Sequence, residues 1–168
     1  MADTTTTAPP KQPTTGDVAL LSVAIGLELA MIDLYARAAS AGGSLKDTAT
    51  LFGENHRAAA QALSGLVGRQ APTSRDSKFF SDNSDAAGGA DTKARAEHLA
   101  GLENSLVATH ISVLGKLKGV DGANLVASII PTEARQAAVL VGLAGKSGLD
   151  DILAFDPEAA VGAEKTNS

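Results

Sequence analysis

Apolar residues recur every three or four positions through four long stretches of the chain, the period of helices that each bury one face. The first stretch carries Leu21, Ala24, Met31 and Tyr35 on one stripe, and the second carries Phe52, Ala59, Leu63 and Leu66. The third carries Ala96, Leu99, Leu106, Val113 and Leu117, and the fourth Val126, Ile130, Ala137 and Leu140. Punctuation sets the ends. Asp17 after Gly16 is suited to cap the first helix, which is predicted to run to about Ser40 and stop at Ala41-Gly42-Gly43. The second is predicted from near Ser44 to about Arg69, ahead of Pro72. The third is predicted from Asp91 or Thr92 to Lys118, where Gly119-Val120-Asp121-Gly122 turns the chain. The fourth is predicted over Ala123 to Ala144, with Pro131 expected to kink or split it.

The connections say how the helices are arranged. Short links make the first and second helices antiparallel neighbours, and likewise the third and fourth. Residues 71–90 form a much longer link rich in Ser, Asp and Gly. A structureless loop of that length is uncommon in a compact domain. About twenty extended residues can cross a helix of about 25 residues, about 37 Å long. The expected architecture is therefore all-α: a four-helix bundle of two antiparallel hairpins joined by a long crossover. The alternative is a plain up-down-up-down bundle with an oversized loop. Phe79-Phe80 favour the crossover, since paired Phe in the link would pack along the bundle flank.

Composition narrows the chemistry. With 44% hydrophobic but 3% aromatic residues, the core must be aliphatic and rich in alanine. The absence of Cys removes disulfides, thiolate nucleophiles and Cys-based metal sites, so a metal would have to be held by carboxylates and the three His. A net charge of −5 argues against nucleic acid or anionic lipid as a partner. Residues 1–16 are Thr/Pro-rich, lack a signal-peptide pattern and read as a disordered arm, so a cytoplasmic location is expected. The apolar run from Val18 to Ile32 is interrupted by Glu28 and is short for a bilayer. Residues 146–168 form an acidic tail, in which Leu149 to Phe155 could fold as one helical turn over the bundle end.

Ionisable residues interrupt each stripe near its midpoint. Glu28 lies in the first, His56 in the second, Glu103 and His110 in the third, and Glu133 in the fourth, with Gln136 one turn on. Singly, such residues are ordinary. Together they put three carboxylates at one level of a core, which is costly without a cation or arginine partners. Arg57, Arg95 and Arg135 are the arginines that could supply such pairing.

The segments Leu27 to Tyr35, Phe52 to Ala60, Leu102-Glu103 and Ile129 to Leu140 resemble the ferritin-like superfamily, close to its small actinobacterial ferritin-like domain proteins. The resemblance covers residues 17–145 and implies the same crossover bundle. Its two-metal site takes one Glu from each of two helices and a Glu-x-x-His pair from each of the others. By that resemblance Glu28, Glu103 and Glu133 match expected ligands, and His56 stands where a Glu is expected. Ala59 and Gln136 stand where the two His would be. The implied site is thus Glu28, His56, Glu103 and Glu133 around one divalent ion, iron or manganese, or around two with water filling the gaps. Tyr35, His110 and Gln136 would lie beside it. Tyr35 is expected to be a core aromatic with a hydrated hydroxyl. His110 lies two turns, about 10 Å, along the axis from Glu103, too far for both to bind one ion directly. His98 reads as a surface residue.

The reduced ligand set argues against an enzyme, and any turnover would be oxidase-type chemistry at a metal–carboxylate centre. A storage cage is not expected. The competing reading is a non-catalytic structural or interaction bundle with a vestigial site. Alanine-rich helix faces would suit a homodimer.

Overall fold

The computed structural model describes residues 8–162 and contains only helices and connections among them. The four long helices are α1 (Thr15–Ser40), α2 (Lys46–Val67), α4 (Thr92–Leu114) and α5 (Val120–Leu143). Two shorter ones are α3 (Ser77–Ala87) and α6 (Leu149–Ile152). Residues 1–7 and 163–168, the outer parts of the predicted arm and acidic tail, lie outside the described residues.

The start of α1 lies two residues ahead of the expected cap. Thr14 is the cap residue, and Asp17 completes a reciprocal capping box as the third helical residue. Asp17 does more than cap. Its carboxylate also accepts the backbone N–H groups of Lys118 at 2.8 Å and Gly119 at 2.9 Å, fixing the end of α4 against the start of α1. Burial alone would raise the Asp17 carboxyl, but the N–H donors of Lys118, Thr14 and Gly119 outweigh it and hold it below 3.8. Asp17→Ala should destabilise the protein by about 1–3 kcal/mol, because buried donors lose their acceptor. A depressed carboxylate stabilises above its unfolded pKa, and that contribution fades as pH falls through the folded one. The gap between wild type and variant in chemical denaturation should therefore be full at pH 6 and narrow below pH 3.8.

These contacts also fix the topology. Asp17 brings the beginning of α1 to the end of α4, so these two helices run antiparallel. At the opposite end buried Arg95, in the first turn of α4, donates to the carbonyls of Gly42 and Gly89. Gly43, just before α2, adopts φ +77° beside Thr92, a backbone state that favours glycine. Thus α2 and α4 begin at the same end and run parallel, and the link between them must traverse the bundle. This is the expected crossover.

The crossover is not bare. It contains α3, capped by Asp76, whose side chain accepts the N–H of Phe79. Phe79 enters the core, while Phe80 is half-buried under the Arg75 guanidinium, 3.7 Å above its ring. The Asp76 N–H donates to the Gly26 carbonyl at 2.8 Å, pinning the crossover to the middle of α1.

Pro131 does not split α5, which is one continuous helix starting at Val120. Pro131 and Ala127, whose carbonyl loses its intrahelical donor, are both exposed, so water can satisfy that carbonyl. Residues 8–14 are tied to the α4–α5 turn, with Val120 and Asp121 donating to the carbonyls of Pro10 and Lys11. α6 is the expected single turn, and Ile152 packs against the core while Leu149 and Leu153 stay exposed. By length and composition α1 could cross a membrane, a wider apolar helix than the run to Ile32 suggested. In the bundle its residues Leu21, Ile25, Leu27, Met31 and Leu34 are fully buried.

The aliphatic core falls into two clusters. One gathers Leu21, Ile25, Leu63, Val113 and Val126, and the other gathers Leu27, Leu34, Phe52, Leu99 and Leu140. Between them lies a polar layer.

Candidate metal centre

The polar layer is built by all four long helices. Glu28, Glu103 and His110 are fully buried, and Glu133, His56 and Gln136 are nearly so. The register of each apolar stripe forces them inward. Glu28 lies three residues after Ile25 and three before Met31, so turning it to solvent would turn both out.

His56 bridges two carboxylates. Its Nδ1 is 2.7 Å from Glu28 Oε2 and its Nε2 is 3.1 Å from Glu103 Oε1. The ring stacks on Tyr35, with centroids 5.3 Å apart and planes 23° apart. The Tyr35 hydroxyl donates to Glu103 Oε1. It is dry rather than hydrated as expected, being fully buried with this carboxylate as its acceptor.

His110 joins the other side of the layer. Its Nδ1 is 2.8 Å from Glu133 Oε2, and its Nε2 is 3.7 Å from Glu28 Oε1. Glu28, His110 and Glu133 each present one ligand atom within 4.8 Å of the others, the arrangement that could hold a metal ion. Axial separation from Glu103 alone sets His110 apart from the expected ligands. The long side chains of Glu28 and Glu133 close the gap from neighbouring helices. The signal available was that Glu103 and His110 are seven residues apart and so share one face. Among the residues taken as ligands, Glu28 and Glu133 are in this group, whereas His56 and Glu103 are joined to each other and to Tyr35.

The electrostatics follow from crowding charges in a buried layer. Burial pushes His56 down, yet the charges of Glu103 and Glu28 outweigh it and hold the ring well above 6.5. The same opposition, with Glu133 the main carboxylate, raises His110 above 6.5. Burial raises Glu133 to about 7, against the pull of His110 and with the help of Glu28 and Glu103. Burial and then Glu103 hold the Tyr35 phenol well above 10. Three carboxylates face two imidazoles, so even two protonated rings leave one negative charge. That charge requires either a proton on a carboxyl or a cation.

Arginines do not supply it. Arg57 pairs with Glu54 on the surface, Arg135 donates to Thr132, and Arg95 is taken by turn carbonyls. His98 is half-buried rather than on the surface, and burial lowers it below 6.5.

Four buried carboxylate and imidazole atoms of the layer have no hydrogen-bond partner in the protein: Glu28 Oε1, Glu103 Oε2, Glu133 Oε1 and His110 Nε2. Three of the four belong to the group within reach of one ion. Buried polar atoms without partners are costly, and a divalent cation is the species that carboxylate and imidazole lone pairs satisfy best. The residues therefore fit one ion. Ala59 and Gln136 hold the positions where the resemblance implies further ligands. Both amide atoms of Gln136 are also unpartnered. A cavity of about 280 Å³ between α2 and α5, bordered by Ala58, Ala59, Ala62 and Ile129, reaches Glu28, Glu133 and Gln136. Small side chains on α2 keep it open.

No curated protein and no solved structure gives a significant match to the chain. A family model described as the ferritin-like domain matches residues 16–146, which hold all but the first residue of the four long helices and every residue of the polar layer. With the crossover bundle and the buried Glu/His layer, that match makes the chain a member of the ferritin-like domain family.

Proposed function

We propose that the protein binds a divalent metal ion inside the bundle, held by Glu28, His110 and Glu133 with Glu103 and His56 adjoining. The observation that carries this reading is the set of partnerless buried atoms on these residues, converging from three helices. Oxygen and imidazole ligands suit iron or manganese and also accept zinc. When bound, such an ion supplies Lewis acidity and, for iron or manganese, a change of oxidation state. The chain's own part is to exclude water with the two flanking apolar clusters, to fix His110 through Glu133, and to fix Glu103 through Tyr35. The cavity between α2 and α5 offers a route from the surface. The ligand shortage favours a binding or one-ion role over two-metal oxidase chemistry.

One observation favours a second reading, a structural bundle with a vestigial site. The imidazoles already pair with all three carboxylates. Protein stripped with chelator and retitrated with Fe²⁺, Mn²⁺ or Zn²⁺ separates the two. Metal binding raises the melting temperature with metal concentration, while an unchanged melt with all three ions supports the structural reading.

A pH dependence follows. Glu133, His56 and His110 all bind protons more tightly in the folded chain than in the unfolded one. Groups raised on folding stabilise below their unfolded pKa, and that contribution is lost as pH rises through the folded value. For Glu133 the window runs from 4.5 to about 7, and for the imidazoles it opens at 6.5. Metal-free protein should thus lose stability from pH 5 to pH 8 in urea unfolding. Bound metal should oppose that trend, since it competes with the same protons.

A further inference from the structure

We propose that His56 fills, with its own ring, one of the two metal positions expected of a ferritin-like site, so that the bundle holds a single ion. This inference rests on the metal-binding reading above and specifies its stoichiometry.

The geometry of the ring carries the argument. A metal ion in a carboxylate bundle joins carboxylates of different helices. Here the His56 ring does so, with Nδ1 on Glu28 Oε2 of α1 and Nε2 on Glu103 Oε1 of α4. Both nitrogens are therefore committed to carboxylates, and neither presents a lone pair to an ion. The ring is 2% exposed and lies against Tyr35, with the cavity between α2 and α5 at its edge. Tyr35 in turn shares Glu103 Oε1 with the ring, which fixes that carboxylate in a hydrogen-bonding role.

Three of the four partnerless carboxylate and imidazole atoms lie on the other side, Glu103 Oε2 being the fourth. Glu28 turns Oε2 to His56 and leaves Oε1 free toward His110 Nε2, 3.7 Å away, with Glu133 Oε1 also unpartnered. Glu28 thus faces the ring with one oxygen and the prospective ion with the other. One turn beyond His56, Ala59 supplies no ligand and instead borders the cavity. Both α2 positions that would serve a second ion are thereby changed in the same direction, one to a ring that occupies the place and one to a side chain that cannot ligate.

Metal counting on chelator-stripped protein titrated with Mn²⁺ tests this, with the His56→Glu/Ala59→His variant beside the wild type. One ion on the wild type is expected, with the electron paramagnetic resonance signal of isolated Mn²⁺. Two ions with an exchange-coupled signal are expected on the variant. Because the variant could fail to fold, ring-nitrogen NMR of the wild type with Zn²⁺ gives a second readout. The His110 resonances should move on zinc binding as a coordinated nitrogen does, and those of His56 should keep their hydrogen-bonded character. Two ions on the wild type, a folded variant that still takes one, or a zinc-coordinated His56 nitrogen would each overturn the inference while leaving metal binding intact. No ion on the wild type overturns the metal reading, and this inference with it.

Discussion

Glu28→Ala should abolish the thermal stabilisation that a divalent ion confers. Glu28 is the residue on which both halves of the polar layer depend, with Oε2 on His56 and Oε1 facing His110. A ligand at a hundred times its dissociation constant stabilises the folded state by about 2.7 kcal/mol. For a domain of this size that corresponds to roughly 5–10 °C in melting temperature. Wild-type protein should show a rise of that order with Mn²⁺ or Fe²⁺ in differential scanning fluorimetry, and Glu28→Ala should show none. The metal-free variant will also be weakened, because His56 and His110 lose a shared carboxylate. The diagnostic quantity is therefore the metal-induced shift within each protein, not the difference between them. An undiminished shift in Glu28→Ala would place the ion elsewhere.

His56→Leu should be the most damaging single change to the metal-free protein. The ring separates Glu28 from Glu103, two fully buried carboxylates, and hydrogen-bonds both. Leucine fills similar volume, so the packing loss is small and the charge effect dominates. Removing one partner of a buried ionic group costs about 3–5 kcal/mol, because the other charge is left uncompensated. The melting temperature should fall by roughly 10–15 °C, measured in chelator so that metal cannot mask the loss. Adding Glu103→Gln to the same chain should recover part of this, since it removes one of the stranded charges. The two substitutions should thus be strongly non-additive. Simple additivity would mean that the ring and Glu103 do not act as one unit.

The fold was largely legible in the sequence because helix punctuation and link length determine it. Glycines after Ser40, at Gly119 and near Gly145 mark the turns, and the long second link demands a crossover. The helix within that link was not legible. α3 has two buried residues, Phe79 and Ala87, too few to make a stripe, and it is held by tertiary contacts such as the Asp76 bond to Gly26. Pro131 does not split α5, one of its two expected effects, for a related reason. A proline is disruptive where its lost hydrogen bond is dry, and here that face is wet. Residues of the polar layer were legible as interruptions of apolar stripes, because a stripe fixes which way a residue points. Their grouping was not. His110 lies with Glu28 and Glu133, and His56 between Glu28 and Glu103, because partner choice depends on side-chain reach across helices, which axial spacing along one helix does not contain. The dry Tyr35 hydroxyl was missed likewise, since its acceptor Glu103 is 68 residues away.

Anomalous diffraction from crystals of the full chain soaked in Mn²⁺ would locate the ion. The expected result is one peak inside the bundle, within bonding distance of Glu28, His110 and Glu133. An empty interior at saturating Mn²⁺, or a peak only at surface carboxylates, would contradict it.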